Sequence, residues 1–289
     1  MSSFPVHVAA QHPLRVKRRD EARDTPPLVS VVIPCFNAVA YVGAAIESVL
    51  QQSWSAVEIL VVDDKSTDET AQVVTAIATR DARVRLIQLS RNHGAPAVPR
   101  NVGVAAGRGE WVAFLDADDL WHPRKLELQM QAIDEHGVLM CSTRMKDFRD
   151  GGQIVIEPPP LLLPIERVTL KHQLFKYRTP TSSIVACRKF LLQHPFNEEP
   201  SYKAREDTDC FIRVHEDMAF SIKIVHPLVF YRQQASQISG NKLRMVGRHL
   251  AMLRKYRLKS GKGLGVMAYV YTFTHFFASI YLRGIRRML

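Results

Sequence analysis

The chain has 289 residues, 46% of them hydrophobic, enough to bury a full core in one large domain and too few for several independent modules. Its formal charge of +11 is unevenly placed: Asn241 to Leu289 holds eleven Lys or Arg and no acid, so the preceding residues are neutral overall. That distribution excludes a generally basic nucleic-acid binder and makes the C-terminal end a contact surface or address joined to an uncharged body.

Met1 to Pro27 is polar, with a mixed-charge run from Arg15 to Asp24 and no apolar export segment, and reads as a disordered lead-in. Leu28 to Pro34 (LVSVVIP) is a short β-branched apolar run, and Val57 to Val62 (VEILVV) repeats that composition; both read as buried parallel strands. Between them, Val42, Ala45, Ile46 and Val49 fall on one face of a helix over Tyr41 to Gln52, giving a β-α-β unit. The rhythm continues with a helix over Asp68 to Thr79, a strand at Val84 to Leu89, a helix from about Pro99 to Ala106 and a strand at Trp111 to Leu115.

This alternation predicts an α/β fold of Rossmann-like type, with an open, mostly parallel central sheet. Downstream come a helix from Pro123 to Glu135, a Gly- and Pro-interrupted stretch from Gly151 to Pro164, and short mixed elements to about Arg232. The expected organisation is a tail over 1–27, a catalytic domain over 28–240 and a basic helical region over 241–289. The domain divides into a nucleotide-binding half, 28–120, and an acceptor half, 121–240. The four cysteines, Cys35, Cys141, Cys187 and Cys210, form no C-x-x-C pair, which fits a reducing, cytosolic compartment.

In sheets of this kind ligands collect at the carboxyl ends of the strands. Asp116 and Asp118 follow the strand ending at Leu115 and stand two apart, so both carboxylates can face one side and hold Mg2+ or Mn2+ against a diphosphate. The competing reading is a helix cap, with Asp119 as the capping residue. Asp63 and Asp64 close the second strand, where a carboxylate accepts from a nucleobase imide or a ribose hydroxyl; a simple Asp-Asp-Lys-Ser turn accounts for them equally. Arg91-Asn92-His93-Gly94 and Pro99-Arg100-Asn101-Val102-Gly103 offer Arg and amides beside a helix start, a weak phosphate signal. Glu206-Asp207 presents two acids at the head of an apolar-periodic helix, which the helix dipole alone would also favour. His215 and His226 show no ligand spacing and read as packing or surface residues.

Together these features resemble the family 2 glycosyltransferases with the GT-A fold, of the bacterial polysaccharide or glycoconjugate type, over about Leu28 to Asn241. The resemblance rests on Val29-Ser30-Val31-Val32-Ile33-Pro34-Cys35-Phe36-Asn37, Val61-Val62-Asp63-Asp64-Lys65-Ser66-Thr67-Asp68, Arg100-Asn101-Val102-Gly103, Asp116-Ala117-Asp118, Arg205-Glu206-Asp207 and Tyr231-Arg232. It implies inverting transfer of a sugar from a nucleotide-sugar donor, a UDP-sugar by default, with Asp116 and Asp118 around Mn2+ or Mg2+ and Asp207 as catalytic base. Pro34, Phe36, Asn37 and Asp63 or Asp64 then match the nucleotide pocket, and Arg100 a position near the nucleotide. Two departures stand out: Lys65 replaces the usual glycine, and no His follows Tyr231-Arg232, leaving the metal without that protein ligand.

A sugar-phosphate nucleotidyltransferase is the competing enzyme, but the loop after the first strand, Cys35-Phe36-Asn37-Ala38, is not Gly-rich. A dinucleotide-dependent oxidoreductase lacks its G-x-G-x-x-G for the same reason. A non-catalytic membrane-bound scaffold is disfavoured by the intact Asp116, Asp118 and Asp207. In the basic region, Leu243, Val246, Leu250 and Leu253 make one helical stripe, and Gly263 to Leu282 is uncharged and long enough to cross a bilayer. Yet Ala268, Thr272, His275 and Ser279 form a polar seam, extended by Arg283 and Arg286, which points to a helix lying in a membrane interface or packed on protein. The expected setting is the cytoplasmic leaflet, where an anionic surface and a saccharide or lipid-linked acceptor are both in reach.

Overall fold

The computed structural model describes residues 25–152, 154–176, 179–233 and 242–286, apart from the side chains at 242–244 and 278–286; most of the expected N-terminal tail lies outside them. The first half follows the sequence rhythm: β1 (Val29–Cys35), α1 (Val42–Leu50), β2 (Val57–Asp63), α2 (Thr70–Ala78), β3 (Val84–Gln88), α3 (Ala97–Ala106) and β4 (Trp111–Phe114). These strands pair in parallel in the order β3-β2-β1-β4. Every residue of β1 and β2 is buried, as a parallel strand between two helical layers requires. Val29, Val31 and Ile33 pack under α1, while Val32, Leu60 and Val62 pack with Val104 of α3.

Helix α3 sits directly on β1. A Cβ built on Gly103 would lie 2.3 Å from Val32 Cγ1, so only glycine allows this approach. That contact sets the height at which Arg100, one turn earlier, stands over the strand ends.

The second half contributes β5 (Leu120–Trp121), α4 (Lys125–His136), β6 (Met140–Phe148), β7 (Ile165–Val168), α5 (Leu170–Phe175), β8 (Val185–Cys187), α6 (Arg188–Gln193), α7 (Glu206–Asp217) and β9 (Ser221–Arg232). The sheet continues from β4 through β8, β6, β9 and β5, with β7 paired to β9. Strand β8 is antiparallel to β4 and β6, whereas β6 and β9 run parallel. The sequence suggested only short elements here, but β6 has nine residues and β9 twelve. Strand β9 alternates buried and half-buried positions as far as Pro227 and contains Lys223, His226 and Pro227, so its apolar run is confined to Leu228, Val229 and Phe230. Its irregular register with β6 accommodates the proline.

Helices α8 (Lys242–Lys255) and α9 (Met267–Arg286) form a hairpin packed on this body. Met252, Leu253, Tyr256 and Ala268 share a core cluster with Leu174 of α5, with Tyr202 just ahead of α7 and with Ile212 of α7. The basic region is thus part of the folded unit. The first turns of the polar seam of α9 are its packed side: Ala268 and Thr272 are buried, and the His275 ring stacks on His249 of α8 at 4.4 Å, while Ser279, Arg283 and Arg286 lie outside the described side chains. No described helix is long and apolar enough to cross a membrane.

Candidate active site

A cleft of about 1480 Å³ opens over the carboxyl ends of β1, β2 and β4. Pro34, Phe36, Asn37, Asp64, Arg100, Asp116, Asp118 and Asp207 all line it, so residues from 34 to 207 in the chain meet in one space. Asp63 does not line it. It is buried in the turn after β2, where Ser66 donates to Oδ1 through its backbone N–H at 3.1 Å and through its hydroxyl.

The turn after β4 is held from several directions. The Asp116 N–H donates to Ser182 Oγ at 3.1 Å, and Trp121 Nε1 donates to the Ser182 carbonyl at 2.9 Å. Asp119 is not a helix cap, because β5 intervenes and α4 begins only at Lys125. Its buried carboxylate instead accepts the Arg232 backbone N–H at 3.1 Å. The Arg232 side chain donates to the Asp118 carbonyl at 2.8 Å and pairs with Asp150. Its guanidinium lies 4.7 Å from the Tyr41 ring and 4.5 Å from the Phe148 ring. Arg232 therefore pins β9 to the aspartate turn.

Three carboxylates in this turn repel one another. Burial, and then the charge of Asp116, push Asp118 up to about 6. Asp119 stands well above the usual carboxylate range for the same causes, with Asp118 adding to them. A divalent cation would relieve this crowding, and two carboxylates plus phosphate oxygens make a suitable hard-oxygen set. Among the described residues no third His, Cys, Asp or Glu joins Asp116 and Asp118 in a ligand cluster.

Arg100 is buried and joins both halves, donating to Asp116 Oδ1 at 2.8 Å and to Glu206 Oε1 at 3.3 Å. Burial alone would push its pKa down, but Asp116, Glu206 and Asp207 more than offset this and hold it above its ordinary value. Burial raises the Glu206 pKa, and Asp207 raises it further against the pull of Arg100. Asp207 lies half-buried in the first turn of α7, accepting the Thr208 N–H at 2.6 Å. Asn101 turns away from the cleft and clasps Phe196 through paired 2.9 Å hydrogen bonds to its backbone.

At the ends of β1 and β2, Phe36 is half-exposed and lines the cleft. The Asp64 carboxylate accepts from the backbone N–H groups of His93 and Gly94 and meets His93 Nδ1 at 2.9 Å, which fixes the 92–94 loop. Lys65 takes a left-handed conformation, φ +63°, so the turn that a glycine would make is kept. Asn37, also left-handed, ties the two strand ends together through Ser66 and Thr67.

The sequence reading missed the cleft's far wall, which includes Arg144, Lys176, Lys203, Lys223 and Met245. Ala204 has φ +63° between Lys203 and Arg205. Helix α8 grips this turn: Arg205 donates to the Met245 carbonyl at 3.1 Å, and Arg248 to the Lys203 carbonyl at 3.2 Å. The charge count of the C-terminal region carried no hint that it braces the turn leading to Asp207.

Comparison with known proteins places this arrangement. The glycosyl transferase family 2 model matches residues 30–197. The putative teichuronic acid biosynthesis glycosyltransferase TuaG of Bacillus subtilis (strain 168) is 42% identical over 220 residues, spanning 75% of this chain and 83% of that protein. The matches to several other curated relatives are partial, and the chain spans only 20% to 45% of their lengths. S. aureus TarS 1–349 in complex with UDP-GlcNAc superposes with a TM-score of 0.64 at 22% identity, covering 78% of this chain and 65% of that one. The mannosyltransferase PcManGT of Pyrobaculum calidifontis, in complex with GDP-Man and Mn2+, gives 0.62 at 16% identity over 87% and 70%. Those two likenesses show the shared fold, and the family match and TuaG show the kinship: this chain belongs to glycosyl transferase family 2.

Proposed function

We propose that the protein transfers a sugar, with inversion, from a nucleotide-sugar donor to a hydroxyl of a saccharide or lipid-linked saccharide acceptor in cell-surface polysaccharide or glycolipid synthesis. One observation carries the reading: Asp116, Asp118, Arg100 and Asp207, drawn from both halves, line a single cleft. The TuaG relationship supports a polysaccharide product, and the nucleotide-sugar complexes of TarS and PcManGT support the donor class.

In this reading Phe36 and Pro34 offer an apolar face to the nucleobase, beside the loop that Asp64 holds. Asp116 and Asp118 hold Mn2+ or Mg2+, which supplies positive charge to the departing diphosphate when bound. Arg100 works differently from a free phosphate-binding cation. Its two ion pairs orient Asp116 and lock the head of α7, so its effect on the donor passes through Asp116. Asp207 takes the proton of the acceptor hydroxyl as that oxygen attacks the anomeric carbon from the face opposite the leaving group. The Thr208 N–H holds the Asp207 carboxylate in place at the head of α7.

The basic C-terminal helices are read as the part that meets an anionic membrane surface, at the inner face of the cell membrane, where a lipid-linked acceptor resides. The donor assignment is tested by thermal shift with nucleoside diphosphates and their sugars in the presence of Mn2+, followed by a transfer assay with the stabilising donor. A UDP-sugar should raise Tm and be consumed with release of UDP. Stabilisation by no nucleoside diphosphate sugar would defeat the proposal.

A further inference from the structure

Helix α9 is built inside out for a surface helix. Ala268 and Thr272 face the protein, and Thr272 satisfies its hydroxyl on the Ala268 carbonyl at 2.7 Å. The opposite face carries Tyr269, Val270, Phe273 and Phe277, exposed by 51%, 40%, 61% and 49%, and Val266 just before the helix is exposed by 78%. Exposed positions 269, 270, 273 and 277 recur at helical spacing, so these side chains make one apolar stripe rather than scattered residues. A contiguous patch of this kind marks a docking surface.

The charge around the stripe selects its occupant. Arg254, Arg257 and Lys262 are exposed just before it, and no acid occurs from Asn241 onward. An apolar, aromatic stripe led in by exposed cations fits the headgroup and upper acyl region of an anionic bilayer, with the cations at phosphate level. A second copy of this chain would instead set like charges against like.

We propose that the outward face of α9, centred on Phe273 and Phe277, is the membrane-docking surface of this protein, lying flat in an anionic leaflet. This rests on the reading of a membrane-facing C-terminal region and assigns the face that does it. The placement has a geometric consequence. The inner side of the same hairpin grips the Lys203–Arg205 turn through Met245 and Arg248, so docking sets the cleft at a fixed height above the lipid.

The test is cosedimentation of the full chain with vesicles of phosphatidylcholine alone or containing phosphatidylglycerol, using wild type and the double variant Phe273→Ser/Phe277→Ser. Tm, oligomeric state and transfer to a short soluble acceptor are measured alongside. The wild type should bind the anionic vesicles, and the double variant should bind at least about tenfold more weakly, with Tm and soluble transfer unchanged. Anionic binding that the double substitution leaves intact overturns the face and spares the wider membrane reading. A wild type that ignores anionic vesicles overturns both. A dimer that the substitution splits, without vesicle binding, assigns the stripe to a second copy and also overturns the proposal. Soluble transfer reports separately on the transferase reading.

Discussion

Arg100 of α3 and Glu206 at the head of α7, 106 residues apart in the chain, are joined by a buried 3.3 Å hydrogen bond, and the same guanidinium holds Asp116. One side chain thus links the two acids of opposite halves on which the cleft depends.

Removing that link should be costly. Arg100→Ala leaves Glu206 buried beside Asp207 without its cation, and breaking one partner of a buried pair destabilises by about 3–5 kcal/mol. Glu206→Gln keeps a neutral acceptor for Arg100 and removes the repulsion with Asp207, so it should cost about 1 kcal/mol or less. Urea unfolding of the two variants checks the order; equal losses would show that Arg100 matters only as bulk.

Gly103→Ala tests whether the seat of α3 positions Arg100. The added methyl meets Val32 at 2.3 Å. Overpacking of this kind costs about 1–3 kcal/mol, and α3 must lift from β1 to relieve it. The expected outcome is a lower Tm together with weaker donor binding, measured by calorimetry. Restoring space with Gly103→Ala/Val32→Ala should recover both in part.

His215 provides a pH signature of the core beneath the acceptor wall. Burial pushes it down to about 4, and its ring bonds Ser221 Oγ at 2.8 Å and the Phe211 carbonyl at 2.6 Å. The folded state keeps the ring neutral, while the unfolded chain takes up a proton below its ordinary pKa near 6.5. Stability from this group is therefore complete above about 6.5 and falls as pH drops toward 4. Buried acids such as Asp118 and Asp209, shifted up, act in the opposite sense, so the difference between proteins is the clean quantity. The advantage of wild type over His215→Gln should shrink by roughly 2 kcal/mol between pH 7 and pH 5. A pH-independent difference would show that the ring is not held neutral.

What the sequence disclosed follows from how locally each feature is encoded. β1 and β2 are buried on both faces, so their apolar runs could be read directly, as could the acids at their ends. β9 is interrupted by Lys223, His226 and Pro227, so its twelve residues gave no comparable run. Asp119 resembled a cap because its partner, Arg232, lies 113 residues away. Asp63 and Asp64 were indistinguishable in sequence, and only the backbone direction after β2 turns one inward and the other toward the cleft. The polar seam of α9 was visible, but which side of the helix faces protein depends on α5, α7 and α8, which a periodicity cannot know.

The most direct test of the central claim is single-turnover transfer by Asp207→Asn, with donor affinity measured on the same protein. Asparagine keeps the shape and the hydrogen bonds of the helix head but cannot take the acceptor proton. Transfer should fall by about 10²–10⁴-fold while donor binding in the presence of Mn2+ stays within about twofold of wild type. Turnover at the wild-type rate would contradict the assignment of Asp207 as the base and, with it, the joining of the two halves into one catalytic site.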